Sequence, residues 1–336
     1  MVCEAPIDAL YAAVEASEWA VSAAMAAVAE EACPALDDAV KMVESVYAEE
    51  RSPALLAIQE AAKVRSLPFL WDDDQVSIGY GRYAQVWARA ELPNVDAIEW
   101  DRLKAVPVVL ITGTNGKTTT ARLVARILQE AGLGVGNSST DGISINGEII
   151  DEGDWTGPGA ARAILRHSEV EVAVLETARG GILRRGLGVE RCDAALVTNI
   201  SGDHLGEYGV HDLEEMTQTK GLVYEAVCDE GYRVINIDDP FVRAYGEGLS
   251  GRKILTTLQG PRLLEEHMAD GGAAVYLDGD ALYFADGLTR HRLIDVGRMP
   301  MARDGRARYD ITNALGAIAL AWSVGADLES IRYALA

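Results

Sequence analysis

The 336-residue sequence lacks most of what marks exported, membrane-spanning or nucleic-acid-binding chains. Its four cysteines, Cys3, Cys33, Cys192 and Cys228, are scattered, with no C-x-x-C pair and no metal-like spacing. That removes a zinc knuckle and, without an export signal, a disulfide framework. The opening Met1-Val2-Cys3-Glu4-Ala5 has neither the positive cluster nor the apolar core of a signal peptide, so a cytoplasmic location with free thiols is expected. No run approaches the roughly 18 apolar residues of a membrane span. The Ala-rich residues 9–32 are interrupted by Glu15, Glu18, Glu30 and Glu31 and read as a helix in water. Basic residues are scarce: 30 Lys and Arg face 52 Asp and Glu, a formal charge of −22. Nucleic acid and anionic membrane surfaces are thereby excluded as main partners. A phosphorylated small molecule is not, because a few backbone N–H groups and one Lys capture it locally. Only six lysines are present, and two of them, Lys117 and Lys220, matter below.

Residues 1–66 carry helical periodicity with joints at Pro34 and Pro53, predicting two or three packed helices. Residues 67–104 change texture into an extended and β connecting segment. Asp72-Asp73-Asp74 reads there as a solvated turn rather than a metal site, since consecutive carboxylates rarely converge on one ion. From residue 105 to 336 strands and helices alternate. Residues 106–112 form an apolar run rich in β-branched residues, the pattern of a strand buried on both faces. Residues 118–131 have helical periodicity and end at Gly132. Residues 170–175, 194–198 and 234–237 are further short apolar strands, and residues 275–284 form a hairpin turned at Asp278-Gly279. Residues 310–324 and 327–335 are closing helices. The expected fold is α/β: a P-loop, doubly wound, mainly parallel sheet with helices on both faces, preceded by a small helical region.

Between the first of those strands and its helix lies Gly113-Thr114-Asn115-Gly116-Lys117-Thr118-Thr119. Strand, Gly-rich turn and helix in immediate succession are what phosphate binding requires. The backbone wraps the phosphates, Lys117 reaches the β- and γ-phosphates, and Thr118 offers its hydroxyl to Mg²⁺. The long form G-x-x-x-x-G-K-[ST] is not fully met, because its first Gly would fall on Ile111. The shorter motif is still far more specific than a lone G-x-G-x-x-G, and ATP is the expected ligand.

Residues 112–119 resemble the loop of the Mur ligase superfamily, and further stretches resemble in particular the Mur-like half of the cyanophycin synthetases. These are Ser139-Thr140-Asp141-Gly142-Ile143, Thr156-Gly157-Pro158, Leu175-Glu176-Thr177-Ala178-Arg179-Gly180-Gly181-Ile182-Leu183-Arg184, Val197-Thr198-Asn199-Ile200 and Asp203-His204-Leu205-Gly206. The resemblance implies an ATP-dependent ligase. ATP phosphorylates a carboxylate of an amino-acid or peptidyl substrate, and an amine attacks the acyl phosphate to give an amide. It also assigns roles. Glu176, by position alone either a metal ligand or a carboxylate at a helix N-terminus, would hold Mg²⁺ beside Thr118. His204, with Asp203 orienting it, would bind a second Mg²⁺ and take part in catalysis. Lys220, on the apolar face of a helix over residues 212–227, would support the second metal if carbamylated or neutralise phosphate charge if not; the alternative is a snorkelling surface lysine. Arg179 would clamp a carboxylate, and Thr140 and Asp141 would line the acceptor side, whereas Arg184 and Arg185 read as surface charges.

Two departures from the family pattern bear on activity. The family's HNxxN, whose Asn residues contact the base, stands here as Tyr309-Asp310-Ile311-Thr312-Asn313, so only Asn313 keeps its nucleotide-binding role. Family members also continue into a third domain that closes over the site. A neighbouring protomer of a homo-oligomer or a partner subunit is expected to supply it here. The competing reading is a non-catalytic or regulatory ATP-binding subunit.

Overall fold

A computed structural model describes residues 4–203, 205–303, 305 and 307–336. The chain falls into two compact units, one made of residues up to Gly79 with Gln85–Lys104, the other of Tyr80–Ala84 with Ala105–Ala336.

In the first unit, helices α1 (Leu10–Val28), α2 (Leu36–Glu50) and α3 (Pro53–Val64) precede a three-stranded antiparallel meander, β1 (Phe69–Trp71), β2 (Gln75–Ile78) and β3 (Gln85–Ala88). Pro53 opens α3 at its first turn, where its missing N–H costs nothing, behind the Ser52 cap. The Glu50 carboxylate accepts from the backbone N–H of Leu10, Tyr11 and Ala12, the free donors at the start of α1. Ile58, Ala62, Ile78, Ile98 and Leu103 form this unit's core. The Asp triplet is a turn between β1 and β2, in which Asp72 Oδ1 accepts from the N–H groups of Asp74 and Gln75.

The second unit runs β4 (Val108–Thr112), α4 (Lys117–Glu130), β5 (Val135–Ser139), β6 (Gly142–Ile145), β7 (Glu148–Glu152), α5 (Pro158–Leu165), β8 (Val172–Glu176), α6 (Arg179–Arg185), β9 (Cys192–Val197), α7 (Leu213–Glu225), β10 (Val227–Asn236), α8 (Pro240–Glu247), β11 (Arg252–Thr257), α9 (Glu265–Ala269), β12 (Ala273–Asp278), β13 (Ala281–Asp286), β14 (Thr289–Asp295), α10 (Arg308–Ser323) and α11 (Leu328–Leu335). Among the described residues its strands make one eleven-stranded sheet, in the order β14-β13-β12-β11-β10-β9-β4-β8-β5-β6-β7. The block from β12 to β5 is parallel throughout. Antiparallel strands extend it at both edges.

Every residue of β4 is buried, so the β-branched run is covered on both faces. Val109 and Ile111 share a core with α4, α10 and α11. On the opposite face a Cβ on Gly136 would strike Ile164 of α5, and one on Gly246 of α8 would strike Ile235. α10 is Ala-rich and buried along most of its length, which lets it lie close over the sheet. The expected helix over 212–227 ends at Glu225, because Val227 already pairs with Cys192 as the start of β10. Strands β5, β6, β7, β11 and β14 are additions to the strands expected from pattern. No helix among the described residues is long and apolar enough to cross a membrane.

Candidate functional site

The phosphate-loop residues lie at the C-terminal edge of the parallel block, where doubly wound sheets bind ligands. β4 delivers the chain into a turn that only glycine tolerates at two points. Gly113 has φ 140° and a Cβ there would lie 1.9 Å from Thr198 Oγ1. Gly116 has φ 85° and its Cβ would lie 2.2 Å from Asn313 Oδ1. The chain leaving β9 ties the loop down. Thr114 N–H donates to the Asn199 carbonyl at 2.9 Å and Asn115 N–H to Asn199 Oδ1 at 3.0 Å. The Asn115 carbonyl accepts from Thr198 Oγ1 at 2.7 Å and Asn199 Nδ2 at 2.8 Å. Lys117 opens α4 and folds back, its Nζ donating to the Thr114 carbonyl at 3.1 Å. Thr119, next on that helix, is exposed. Asn313, from α10, sits against Gly116 and so contacts the loop directly.

Parallel pairing of β4 with β8 sets Ile111 beside Glu176, which brings Glu176 to the first turn of α4. Thr118 Oγ1 donates to Glu176 Oε2 at 2.8 Å and lies 3.2 Å from Thr140 Oγ1. Having spent its proton on the carboxylate, Thr118 accepts from Thr140. Glu176 is 2 % exposed and its Oε1 is buried without a hydrogen-bond partner. Burial pushes its carboxyl above the usual range, with the Asp154 carboxylate adding to the rise, while the Thr118 bond, the Lys117 charge and the Thr140 backbone N–H pull it down. A buried carboxylate oxygen with no donor invites a cation. Among the described residues no three acidic, His or Cys side chains gather that could hold a metal by themselves. One hydroxyl and one carboxylate instead fit a hard divalent ion that brings phosphate oxygens and water as its other ligands. His204 lies outside the described residues.

Lys220 is 5 % exposed on the inner face of α7, and its Nζ donates to the Gly113 carbonyl at 2.7 Å. Burial lowers its pKa to about 7, reinforced by the cations of Lys117 and Arg179. Arg179, 7 % exposed at the start of α6, donates to Glu207 Oε2 at 2.9 Å, and its guanidinium lies 5.7 Å from the Tyr208 ring centre. Arg184 approaches the same ring at 5.2 Å and donates to the Gly180 carbonyl at 3.0 Å. Together these groups line a cleft of about 550 Å³. Arg184 and Arg185, read from sequence as surface charges, are among its lining residues. Thr140 bonds to Thr118, and neither is among the residues lining the cleft. Asp141 does not line the cleft; it pairs with Arg122 beside a separate cavity.

Three lining residues escaped the sequence reading: Asp154, Glu207 and Tyr208. Asp154 Oδ1 accepts from Thr156 Oγ1 at 2.7 Å, and its position two residues before Thr156-Gly157-Pro158 was a usable signal. Tyr208, with φ 55°, belongs to a short irregular turn that no sequence periodicity marks.

Residues 111–321 match the Mur ligase middle domain. Cyanophycin synthetase from Crocosphaera subtropica is 44% identical over 229 residues, 68% of this chain and 26% of that protein. UDP-N-acetylmuramoylalanine–D-glutamate ligase from Chlorobium phaeobacteroides is 32% identical over 231 residues, 68% of this chain and 46% of that protein. A solved UDP-N-acetylmuramoyl-L-alanyl-D-glutamate–2,6-diaminopimelate ligase superposes with a TM-score of 0.54 at 19% identity, covering 70% of this chain and 47% of the other. The chain spans about a quarter of the length of the cyanophycin synthetases it matches.

Proposed function

This chain belongs to the Mur ligase family, and we propose that it is an ATP-dependent ligase joining a carboxylate to an amine through an acyl phosphate. The observation that carries the reading is the Thr118–Glu176 pair at 2.8 Å with Glu176 Oε1 buried and unpartnered, in the same first turn of α4 as Lys117. Kinship with cyanophycin synthetase supports an amino-acid or peptidyl substrate.

In this proposal the loop from Gly113 to Thr119 holds the ATP phosphates by backbone N–H groups. Lys117 swings from the Thr114 carbonyl onto the γ-phosphate. Thr118 and Glu176 would hold Mg²⁺ and His204 would serve a second ion, and bound metal would supply charge neutralisation on the phosphates. Arg179 exchanges Glu207 for the substrate carboxylate and presents it to the phosphorus. The carboxylate oxygen bonds to the γ-phosphorus as the bond to the β-bridging oxygen breaks, releasing ADP. The amine nitrogen then attacks the acyl carbon, phosphate leaves and the amine gives up a proton. Lys220 is buried with a lowered pKa. When neutral it can accept that proton; when charged it offsets phosphate. Such catalysis consists mainly of positioning and charge neutralisation.

The test is to incubate the protein with ATP, Mg²⁺ and pools of Asp, Arg, Glu and short Asp–Arg peptides, following ADP and amide together. Substrate-dependent ADP in step with amide, abolished by Lys117→Ala, is expected. Nucleotide binding without turnover of any pool would overturn the ligase reading in favour of a regulatory ATP-binding subunit.

A further inference from the structure

The cleft beside the phosphate loop keeps its charges apart. Its five cations, Lys117, Arg179, Arg184, Arg185 and Lys220, come from the first turn of α4, from α6 and from α7. Three carboxylates share the lining. Glu207 accepts from Arg179 at 2.9 Å, and Asp203 receives the side-chain amide of Asn115 at 3.4 Å. Asp154 differs from both. It is exposed, its Oδ1 accepts from the Thr156 hydroxyl at 2.7 Å, and no cation among the described residues pairs with it.

The segment that carries Asp154 is anchored on both sides. Trp155 N–H donates to the Ser139 carbonyl at the end of β5, at 3.1 Å, and the Thr156 carbonyl accepts from Ala178 N–H, just before α6, at 3.3 Å. The Asp154 carboxylate stands near enough to Glu176 for its charge to raise that carboxyl, which puts it at the end of the cleft toward the metal and γ-phosphate side. Ligation brings two reactants of opposite charge to this point. The acid comes as a carboxylate, and the cations serve it. The amine comes as an ammonium, because amino groups are largely protonated at neutral pH. Among five cations an ammonium is repelled unless an anion meets it.

We propose that Asp154 docks the incoming amine, holding its ammonium beside the acyl phosphate and selecting a cationic nucleophile over a neutral one. This rests on the ligase reading above and adds to it the residue that receives the second reactant. A charge-assisted bond from the ammonium to Asp154 directs the nitrogen toward the acyl carbon. The docked ammonium releases one proton to water, and its nitrogen lone pair then attacks that carbon. The bond from carbon to the phosphate oxygen breaks, phosphate leaves, and the second proton is the one Lys220 can take. Thr156, 6 % exposed, fixes the carboxylate through its hydroxyl and leaves the other oxygen to the amine.

The experiment compares two nucleophiles on one acyl phosphate. The full chain is incubated with ATP, Mg²⁺ and short Asp–Arg peptides as acids, and with either free amino acids or hydroxylamine. Hydroxylamine is uncharged at neutral pH and converts an acyl phosphate to a hydroxamate without needing an anion to dock it. Asp154→Asn should raise the KM for the amino acid at least tenfold, while the KM values for ATP and peptide and the hydroxamate rate stay within about twofold. Asp154→Glu, which keeps the charge, should recover part of the loss. Asp151→Asn, on the exposed strand β7, should change neither product. Equal loss of amide and hydroxamate in Asp154→Asn would show a structural role and overturn the proposal, as would an unchanged KM for the amino acid. Absence of hydroxamate from the wild type would overturn the ligase reading itself, and this proposal with it.

Discussion

Replacing Gly116 by Ala probes whether the phosphate loop and α10 form one unit. Two effects add. The native φ of 85° lies in the left-handed region, where a non-glycine residue costs about 1 kcal/mol. The new Cβ would also lie 2.2 Å from Asn313 Oδ1 and 2.9 Å from its Cγ. Asn313 is 7 % exposed within α10 and has little room to withdraw, so overpacking adds about 1–3 kcal/mol. The total loss expected is about 2–4 kcal/mol, read as a lower denaturation midpoint at unchanged m-value. Asn313→Ala removes the overlap but not the backbone strain. In a double-mutant cycle the pair should therefore destabilise by at least 1 kcal/mol less than the sum of the single changes. Additivity to within about 0.5 kcal/mol would refute the reasoning, since it would mean that the loop and α10 do not touch.

Three further outcomes follow from the site. Lys220 has a folded pKa of about 7 against an ordinary 10.5. Between those values the unfolded chain holds a proton that the folded chain has lost, so stability rises with pH. Relative to Lys220→Met, the wild type should gain on the order of a few kcal/mol from pH 7 to 10.5 and show no further change below pH 7; a flat difference across that window would contradict it. Glu176→Gln removes a carboxylate that burial disfavours, so the metal-free protein should become more stable while Mg²⁺-ATP binds at least tenfold more weakly. A destabilised variant with unchanged Mg²⁺-ATP affinity would argue against a metal role. Gly113→Ala, whose Cβ would meet Thr198 Oγ1 at 1.9 Å, should abolish nucleotide binding, checked by fluorescence titration.

The sequence made β4, its loop and α4 readable because their physical requirements coincide with simple patterns: a run buried on both faces, glycines at positive φ, then helical periodicity. β5 was hidden for the opposite reason. Val135-Gly136-Asn137-Ser138-Ser139 is small and polar, yet wholly buried between β8, β6, α4 and α5, a placement set by the sheet rather than by local hydrophobicity. β7 was hidden because all five of its residues are exposed, which leaves no alternation to read. Thr118 and Glu176 were legible as individual residues, but their contact depends on the parallel register of β4 and β8. The Arg179–Glu207 bond joins elements across an irregular turn, and nothing in the spacing announces it.

The central claim is that the γ-phosphate passes to a substrate carboxylate, and oxygen isotope transfer tests it most directly. Candidate acids labelled with ¹⁸O in their carboxylates are turned over with ATP, Mg²⁺ and an amine, and the released phosphate is analysed by mass spectrometry. One ¹⁸O should appear in each phosphate released with amide, and none with Lys117→Ala. Phosphate released without label while amide forms would contradict an acyl phosphate and with it the account of this site.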